Sequence, residues 1–341
     1  MTTIFEEEIR SQGDILRRRA DLGMKQARDA ASSWRDVSYA LVAARGSSDN
    51  AAAFFQYLAG RELGLVVALA TPSLFQVEGS MKLEGAGVLA VSQSGKSPGM
   101  LEVIRTAKLQ ARPNVVFTND AGSPLALEGD AVVELFSGPE RAIASTKTFT
   151  SSCHALAQFV AALAEKPLPG LETLPDALDS AAQWALANDM PTELLDAPRG
   201  LTVVGRGIGY AVAGEVALKI REVTGVRCEA YSAPDYLHGP IGADGDGATL
   251  LVVVTDEMED EIAASLVAQC AERGMRTVIL RSSEHASQAS DADIVLNQTL
   301  DNWCLGLALV VVGQVLSLRL GELRGRPIDT APGLNKVTLT A

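Results

Sequence analysis

The stretch GVLAVSQSGKSPGM, residues 87–100, gives the clearest indication of the fold. Its first five residues are small and apolar, which is typical of a buried strand in a parallel sheet. A turn rich in serine and glycine follows, and a helical pattern then begins. This order of strand, turn and helix predicts one unit of an α/β fold, in which ligands bind beyond the carboxyl ends of the strands.

Similar short β-branched runs occur along the whole chain, with Ala- and Leu-rich segments of helical spacing between them. In the first half they are residues 39–44, 65–70, 87–91, 114–118 and 131–135, and in the second half 201–205, 227–231, 249–255, 276–280 and 293–297. Apolar strands that alternate with helices predict parallel sheets with helices on both faces.

The two halves of the chain look like copies of one another. Arg45-Gly46 ends the first strand of one half, and Arg206-Gly207 ends the first strand of the other. The proline-containing segment between the halves, residues 166–200, is interpreted as a connection with one or two helices. The alternative is that any two α/β halves would align as loosely as these.

Composition excludes several classes of function. The 341 residues correspond to about two domains, and the net charge of −13 argues against nucleic-acid binding through the overall field of the protein. The four cysteines and three histidines are dispersed, so neither a disulfide scaffold nor a metal site is expected, and a reducing cytoplasm fits best. No signal peptide is visible, and the longest apolar stretch, 307–318, is too short to span a membrane.

The turn after residues 87–91 is a candidate phosphate site. A helix N-terminus carries unpaired N–H donors and a partial positive charge, and the serine hydroxyls and the Gln93 amide add further donors. These residues are Ser92, Gln93, Ser94 and Ser97. The alternative is a serine-rich turn in which Ser97 is an ordinary helix cap.

Two further loops are expected at the same sheet edge, and together the three would form a pocket. One is Gly46-Ser47-Ser48, which follows the first strand, and the other is residues 138–147, which follow the fifth. The corresponding loop of the second half, 256–261, is acidic and would repel a phosphate. We therefore expect one sugar-phosphate site per chain.

Five motifs together resemble the sugar isomerase (SIS) family, and in particular the isomerase half of glucosamine-6-phosphate synthase. They are SQSGKS (92–97), GPERAIASTKTFT (138–150), EVALKIRE (215–222), CEAYSAPDYLHGP (228–240) and DTAPGLNKVTLT (329–340). The resemblance implies two SIS subdomains, each a three-layer αβα structure with a five-stranded parallel, flavodoxin-like sheet, in a homodimer whose active sites use both chains.

The resemblance also implies boundaries and binding residues. We expect an N-terminal helical segment at 1–36, SIS subdomains at 37–165 and 201–325, the connection at 166–200, and a C-terminal tail at 326–341 that closes the active site. The phosphate-binding positions fall on Ser92, Gln93, Ser94 and Ser97, with Ser47 and Ser48 nearby, and the sugar-contacting positions fall on Ile143 and Ser145. Lys96-Ser97 replaces the Glu-Thr common in the family, so the charge beside the phosphate differs.

Catalytic residues are expected on one helix and two loops. Glu215, Lys219 and Glu222 share a helix face by their spacing, and this spacing by itself favours a solvated ion-paired surface. The resemblance places the catalytic carboxylate at Glu222, where the charge of Lys219 would favour its basic form. It also assigns ring opening to His238, from the neighbouring subunit, and a Schiff base or an oxygen-polarising cation to Lys336.

The resulting hypothesis is the isomerising deamination of glucosamine 6-phosphate, without a cofactor. Thr2 stands where a glutaminase domain would need a cysteine, so glutamine-dependent ammonia supply is not expected. Three alternatives remain at this point: an aldose–ketose phosphosugar isomerase, a fructose-6-phosphate aminotransferase without a glutaminase, and a non-catalytic sugar-phosphate sensor.

Overall fold

The computed structural model describes residues 2–34, 36–77, 79, 81–197, 199–256, 260–331, 333 and 336. The chain divides into two compact units, each containing one sheet. The first-sheet unit comprises residues 14–140, 147–172 and 335–341, and the second-sheet unit comprises residues 1–13, 141–146 and 173–334.

The first sheet has five parallel strands in the order β2-β1-β3-β4-β5. They are β1 Tyr39–Ala43, β2 Val66–Leu69, β3 Ala86–Ser92, β4 Asn114–Thr118 and β5 Ala131–Glu134. All seven residues of β3 are buried, as its central place in the sheet requires. This strand order is that of flavodoxin-like folds and confirms the predicted class.

The second sheet repeats this arrangement, and its order β10-β9-β8-β6-β7 is the same when read from the opposite edge. Its strands are β6 Leu201–Gly205, β7 Cys228–Ser232, β8 Thr249–Val253, β9 Arg276–Ser282 and β10 Ala292–Leu296. All ten strands coincide with the predicted runs to within one or two residues at each end.

Helices cover the sheets. The described helices are α1 Ile4–Arg10, α2 Gln12–Ala31, α3 Ser47–Leu63, α4 Pro98–Leu109, α5 Pro124–Glu128, α6 Lys147–Ala164, α7 Leu174–Ala187, α8 Thr192–Leu195, α9 Ile208–Thr224, α10 Ala233–Leu237, α11 Asp260–Glu272 and α12 Asn302–Leu323.

Backbone geometry supports the internal duplication. Gly46 precedes α3 with φ 60° and ψ −131°, and Gly207 precedes α9 with φ 55° and ψ −129°. Both helices have 17 residues, and both end at a glycine in the left-handed conformation, Gly64 and Gly225. Because such positive φ angles strongly favour glycine, the sequence marks the same turn in both halves.

Each sheet packs between two helical layers. In the first-sheet unit, Val88 and Ala90 of β3 join a core with Val103 of α4. On the other face, Phe159 of α6 meets Phe117 of β4 edge-on, with ring centroids 5.7 Å apart. The core fixes the carboxyl ends of the strands, which carry the candidate ligand loops.

Among the described residues, one helix, α12, is long and apolar enough to cross a membrane. It is longer than the apolar stretch 307–318 that the sequence suggested, so length alone does not settle its role. Within the fold 94% of its apolar window is buried, and it packs along α9 and α7. Its apolarity is therefore explained by its place in the core.

Candidate functional site

The loops after β1 and β3 leave the first sheet at its switch point. In the order β2-β1-β3-β4-β5 the chain turns outward in opposite directions from β1 and β3, which opens a crevice at their carboxyl ends. The two strands are parallel, with Ala43 opposite Ala90. Ser47 and Ser48, the first residues of α3, therefore lie at the same sheet edge as residues 92–97.

Residues 92–97, the phosphate loop, are held in a compact turn. The hydroxyl oxygen of Ser92 accepts the N–H of Gly95 at 3.1 Å, and that of Ser94 accepts the N–H of Lys96 at 3.4 Å. Gly95 has a φ of 61°, and a Cβ there would stand 2.0 Å from the hydroxyl of Ser123. Because both serine oxygens act as acceptors within the turn, their protons remain available for an anion.

Ser97 is the informative residue of this loop. It precedes α4 in an extended conformation, but its side chain makes no capping hydrogen bond. The hydroxyl is buried and has no partner among the described residues. A buried unpaired hydroxyl costs about 1–3 kcal/mol, and this one lies at a helix N-terminus, where an anion is favoured. Ser97 is therefore not an ordinary side-chain cap of α4, and its hydroxyl can donate to an anion.

Two positively charged side chains flank the loop, and only one of them was recognised from the sequence. Lys96 is exposed within it. Arg45 is also exposed, and its Nη2 atom lies 3.3 Å from the place where a Cβ on Gly99, in the first turn of α4, would stand. The available signal was a charged residue two positions after β1, which in the sequence served only to mark the repeat.

Lys336 is held by a buried carboxylate in the first-sheet unit. Its Nζ donates to Oε2 of Glu140 at 2.9 Å, and Oε1 of Glu140 accepts the N–H of Thr148 at 3.0 Å. The side chain of Glu140 is fully buried, whereas 22% of Lys336 is exposed. Thr148 lies in the first turn of α6, where the helix dipole favours a negative charge. Glu140 therefore orients the lysine, a role that its sequence motif did not reveal.

Half of the predicted tail, residues 332, 334, 335 and 337–341, lies outside the described part of the chain. The prediction that the tail closes the active site therefore stays a prediction.

The three charged residues predicted to share one helix face, Glu215, Lys219 and Glu222, form one cluster on α9. Lys219 lies 3.4 Å from Glu215 and 2.6 Å from Glu222, measured between nitrogen and carboxylate oxygen. Glu215 and Lys219 are wholly buried, and the side chain of Glu222 is 22% exposed. Burial excludes a solvated surface row and leaves Glu222 as the accessible carboxylate of the cluster.

The structure does not bring His238 to Glu222 within one chain. Glu222 lies near the end of α9, where Arg221 donates to the carbonyl of Cys228 at the start of β7. His238 is exposed and follows α10, beyond the other end of β7. A five-residue strand separates these two edges by about 13 Å at roughly 3.3 Å per residue.

The third predicted loop includes residues 141–146, which belong to the second-sheet unit although they follow a strand of the first sheet. The N–H of Ile143 donates to the carbonyl of Asp329 at 3.2 Å. Ile328, the residue before Asp329, packs against Gly321 of α12, and so does Val223 of α9. These contacts place the loop beside the end of α9 that carries Glu222.

The predicted site residues thus fall into two groups. The first-sheet unit holds Ser47, Ser48, Ser92, Gln93, Ser94, Ser97 and Lys336, and the second-sheet unit holds Ile143, Ser145, Lys219, Glu222 and His238. Within the described ranges no group of three or more His, Cys, Asp or Glu side chains could hold a metal ion.

Comparison with protein families matches the SIS domain to residues 35–162 and 193–309, which together cover more than half of the chain. The chain belongs to the SIS domain family. The two matches contain the two sheets, so the duplication seen in the strand order corresponds to two SIS domains.

Named relatives are enzymes that act on sugar phosphates. This SIS protein is 28% identical to the glutamine–fructose-6-phosphate aminotransferase (isomerizing) of Halobacterium salinarum, over 97% of this chain and 58% of that protein. The chain spans about half the length of the curated relatives it matches.

Among solved structures, a protein of Silicibacter pomeroyi DSS-3 that is provisionally named a phosphosugar isomerase has 30% identity and a TM-score of 0.82, with 96% of this chain and 99% of that one covered. The glucosamine-6-phosphate deaminase of Thermotoga maritima has a TM-score of 0.75 at 20% identity, with 99% and 100% covered, and shares the fold.

Proposed function

We propose that this SIS protein catalyses the isomerising deamination of glucosamine 6-phosphate, which with one water gives fructose 6-phosphate and ammonia. The observation that carries the proposal is the accessible carboxylate of Glu222 paired with Lys219, a buried cation that also contacts the buried Glu215. Moving a proton between adjacent carbons of an open-chain sugar requires such a base. The SIS family and its named sugar-phosphate enzymes support the substrate class.

Phosphate binding is assigned to the phosphate loop with Ser47 and Ser48. The unpartnered hydroxyl of Ser97 and the start of α4 would donate to the phosphate oxygens. A phosphate dianion held in this way anchors the substrate at the end remote from the reacting carbons. Anchoring of this kind makes proton transfer effectively intramolecular.

Proton transfer is assigned to Glu222. In the open-chain aldehyde form of the substrate, it would remove the proton from C2 and return it to C1, which converts the amino aldehyde into a 2-ketimine. Water would then add to the ketimine and release ammonia, leaving the ketone of fructose 6-phosphate. Lys219, held between Glu215 and Glu222, fixes the carboxylate in place.

The cationic role is assigned to Lys336, whose ammonium would polarise the oxygen at the reacting carbons. Its contact with Glu140 fixes the position of this flexible side chain. A Schiff base between Lys336 and the ketose is the other chemistry that an amine here would allow. Borohydride treatment in the presence of fructose 6-phosphate distinguishes the two, because only the Schiff base gives a stable covalent adduct.

Ring opening is assigned to His238 of a second copy in a homodimer. The location of His238 and Glu222 at opposite edges of the second sheet supports this, because one chain alone does not bring them together. The test is complementation. Glu222→Gln and His238→Asn protomers, each inactive as homodimers, should regain about a quarter of wild-type activity when random re-association leaves one intact site in each mixed dimer. Mixtures that stay inactive would contradict the shared site.

The base assignment is tested with Glu222→Gln. General-base catalysis typically contributes about 10²–10⁴-fold, so kcat should fall by that factor while fructose 6-phosphate still binds. The matched control is Glu322→Gln on α12, which removes a carboxylate from another i,i+3 ion pair, with Arg319 at 3.0 Å, that is largely solvent-exposed. Full turnover by Glu222→Gln would refute the role of Glu222.

The reaction is tested by incubating the protein with a panel of hexosamine and hexose 6-phosphates and measuring ammonia and ketose separately. Ammonia and fructose 6-phosphate in equal amounts from glucosamine 6-phosphate, without glutamine, are the expected result. Formation of ketose from a neutral aldose phosphate, with no ammonia from any amino sugar, would refute deamination and show that the reaction is aldose–ketose isomerisation. Binding without any turnover would favour a sensor.

A further inference from the structure

A buried carboxylate on the N-terminal helix holds the backbone of the loop at residues 141–146. Glu8 of α1 is only 4% exposed. Its Oε1 atom accepts the N–H of Arg141 at 2.6 Å, and its Oε2 atom accepts the N–H of Ala142 at 3.3 Å. One side chain therefore satisfies two successive backbone donors of a segment more than 130 positions away in the sequence.

Asp329 ties the same loop to the start of the same helix. Its carboxylate accepts the N–H groups of Ile4 at 3.1 Å and Phe5 at 2.8 Å, at the N-terminus of α1. Its backbone carbonyl accepts the N–H of Ile143. The helix, the loop and the segment after α12 are thus linked by five hydrogen bonds, all within the second-sheet unit.

We propose that Glu8 and Asp329 are positioning residues that clamp the 141–146 loop for recognition of the sugar. This inference rests on the proposed function only in taking the ligand to be a sugar phosphate. The clamped loop carries Ile143 and Ser145 and lies beside the end of α9 that bears Glu222. A loop fixed in one backbone conformation binds with less loss of conformational entropy.

The carboxylate geometry explains why glutamate is needed at position 8. Two N–H donors converge on two acceptor oxygens, and a glutamine would turn its own NH₂ donors toward one of them. That donor would lose its partner in a buried place, where hydrogen bonds to charged groups are strongest. The loop would then relax, but the phosphate loop, which lies in the first-sheet unit, would be unchanged.

The experiment compares Glu8→Gln with Glu7→Gln. Glu7 is the exposed neighbour on α1, and its carboxylate lies 3.8 Å from the side chain of Arg141. Titration with glucitol 6-phosphate, an unreactive open-chain analogue, and with inorganic phosphate separates sugar recognition from phosphate binding. Glu8→Gln should raise the Kd for glucitol 6-phosphate about 10-fold and leave that for inorganic phosphate within 2-fold, whereas Glu7→Gln should change neither.

Hydrogen exchange provides the readout that does not depend on a ligand. The amides of Arg141 and Ala142 should be protected in the wild type and exchange at least 10-fold faster in Glu8→Gln. Glu8→Asp, which keeps the buried charge but shortens the side chain, should show an intermediate loss and serves if Glu8→Gln does not fold. Unchanged exchange and unchanged sugar affinity in the folded variant would overturn the clamp. Absence of turnover in the wild type would instead overturn the proposed reaction, because the affinity and exchange results do not require turnover.

Discussion

Replacing Ser97 by alanine should weaken phosphate binding without destabilising the protein. The hydroxyl of Ser97 is buried and has no partner within the described ranges, and it does not cap α4. In the unliganded protein its removal eliminates an unsatisfied polar group, whereas in the complex it removes a donor to a charged oxygen. The free energies of unfolding and of binding should therefore respond differently.

The magnitudes follow from these two environments. An ordinary serine cap contributes about 0.5–2 kcal/mol, but none of this is lost here, so Ser97→Ala should leave the free energy of unfolding unchanged or raise it by up to about 1 kcal/mol. A hydrogen bond to a charged group contributes about 1.5–3 kcal/mol. At 1.4 kcal/mol for each factor of ten, the Kd for a sugar phosphate should rise about 10- to 150-fold.

Urea unfolding and calorimetric titration with glucitol 6-phosphate measure the two quantities. Ser123→Ala is the matched control for stability, because Ser123 is also a buried serine before a proline but does cap its helix, accepting the N–H of Ala126 at 3.3 Å. Ser123→Ala should therefore lose about 0.5–2 kcal/mol of stability. If Ser97→Ala loses as much stability and keeps its affinity, Ser97 is an ordinary cap and the anion site is refuted.

Three further predictions concern charged side chains. Arg45→Gln should raise the Kd for inorganic phosphate about 3- to 10-fold at low salt and less at high salt. Arg206→Gln, which changes the counterpart of Arg45 in the second half, should have no effect. Equal effects of the two substitutions would refute a role for Arg45 beside the phosphate loop. Glu140→Gln should lower kcat at least 10-fold through the displaced Lys336 and spare phosphate affinity, and unchanged kcat would show that the ion pair is dispensable. Burial, and next the charge of a neighbouring guanidinium, hold the pKa of His154 well below its usual value of 6.5. Below about pH 6.5 the unfolded chain therefore binds a proton that the folded chain does not, and the free energy of unfolding decreases as the pH is lowered, by at most about 1.4 kcal/mol per pH unit. His154→Asn should reduce this pH dependence, measured by urea unfolding at pH 5.5 and 7.5. An unchanged difference between the two pH values would contradict the prediction.

The strands were predictable because parallel sheets buried on both faces leave apolar runs that are read locally. The turn at Gly46 was also visible, because its backbone conformation favours glycine and the second half repeats it. The roles of Glu140 and Glu8 were not predictable from spacing. Each depends on a contact with a distant segment, such as the 2.9 Å ion pair to Lys336, and a carboxylate in such a place has no local signature.

The extent of α12 and the separation of Glu222 from His238 along β7 could not be deduced from local sequence patterns. An apolar run shows which part of a helix is buried, but it does not show where the helix begins and ends. Helix α12 extends from Asn302 to Leu323, beyond both ends of the apolar stretch 307–318. Two catalytic candidates sixteen positions apart look close in the sequence, but a whole strand runs between them. The topology separates the two residues within one chain, which supports the proposal that His238 acts in the site of a neighbouring subunit.

The duplicated fold shows how two copies of one helix came to carry different polar groups. Helices α3 and α9 are equivalent, but they differ in which end carries the polar groups. The start of α3 presents Ser47 and Ser48 to a switch point, whereas α9 begins Ile208-Gly209 and packs so tightly on β6 that a Cβ on Gly205 would stand 2.1 Å from the carbonyl oxygen of Gly209.

The start of α9 has Ile208 and Gly209 in the places that Ser47 and Ser48 occupy in α3. The charged cluster of α9 extends toward its other end, where Glu222 occupies the position that Arg61 has in α3. The two copies therefore keep one strand order while their equivalent helices carry different polar groups, hydroxyls at the start of α3 and a charged cluster on α9.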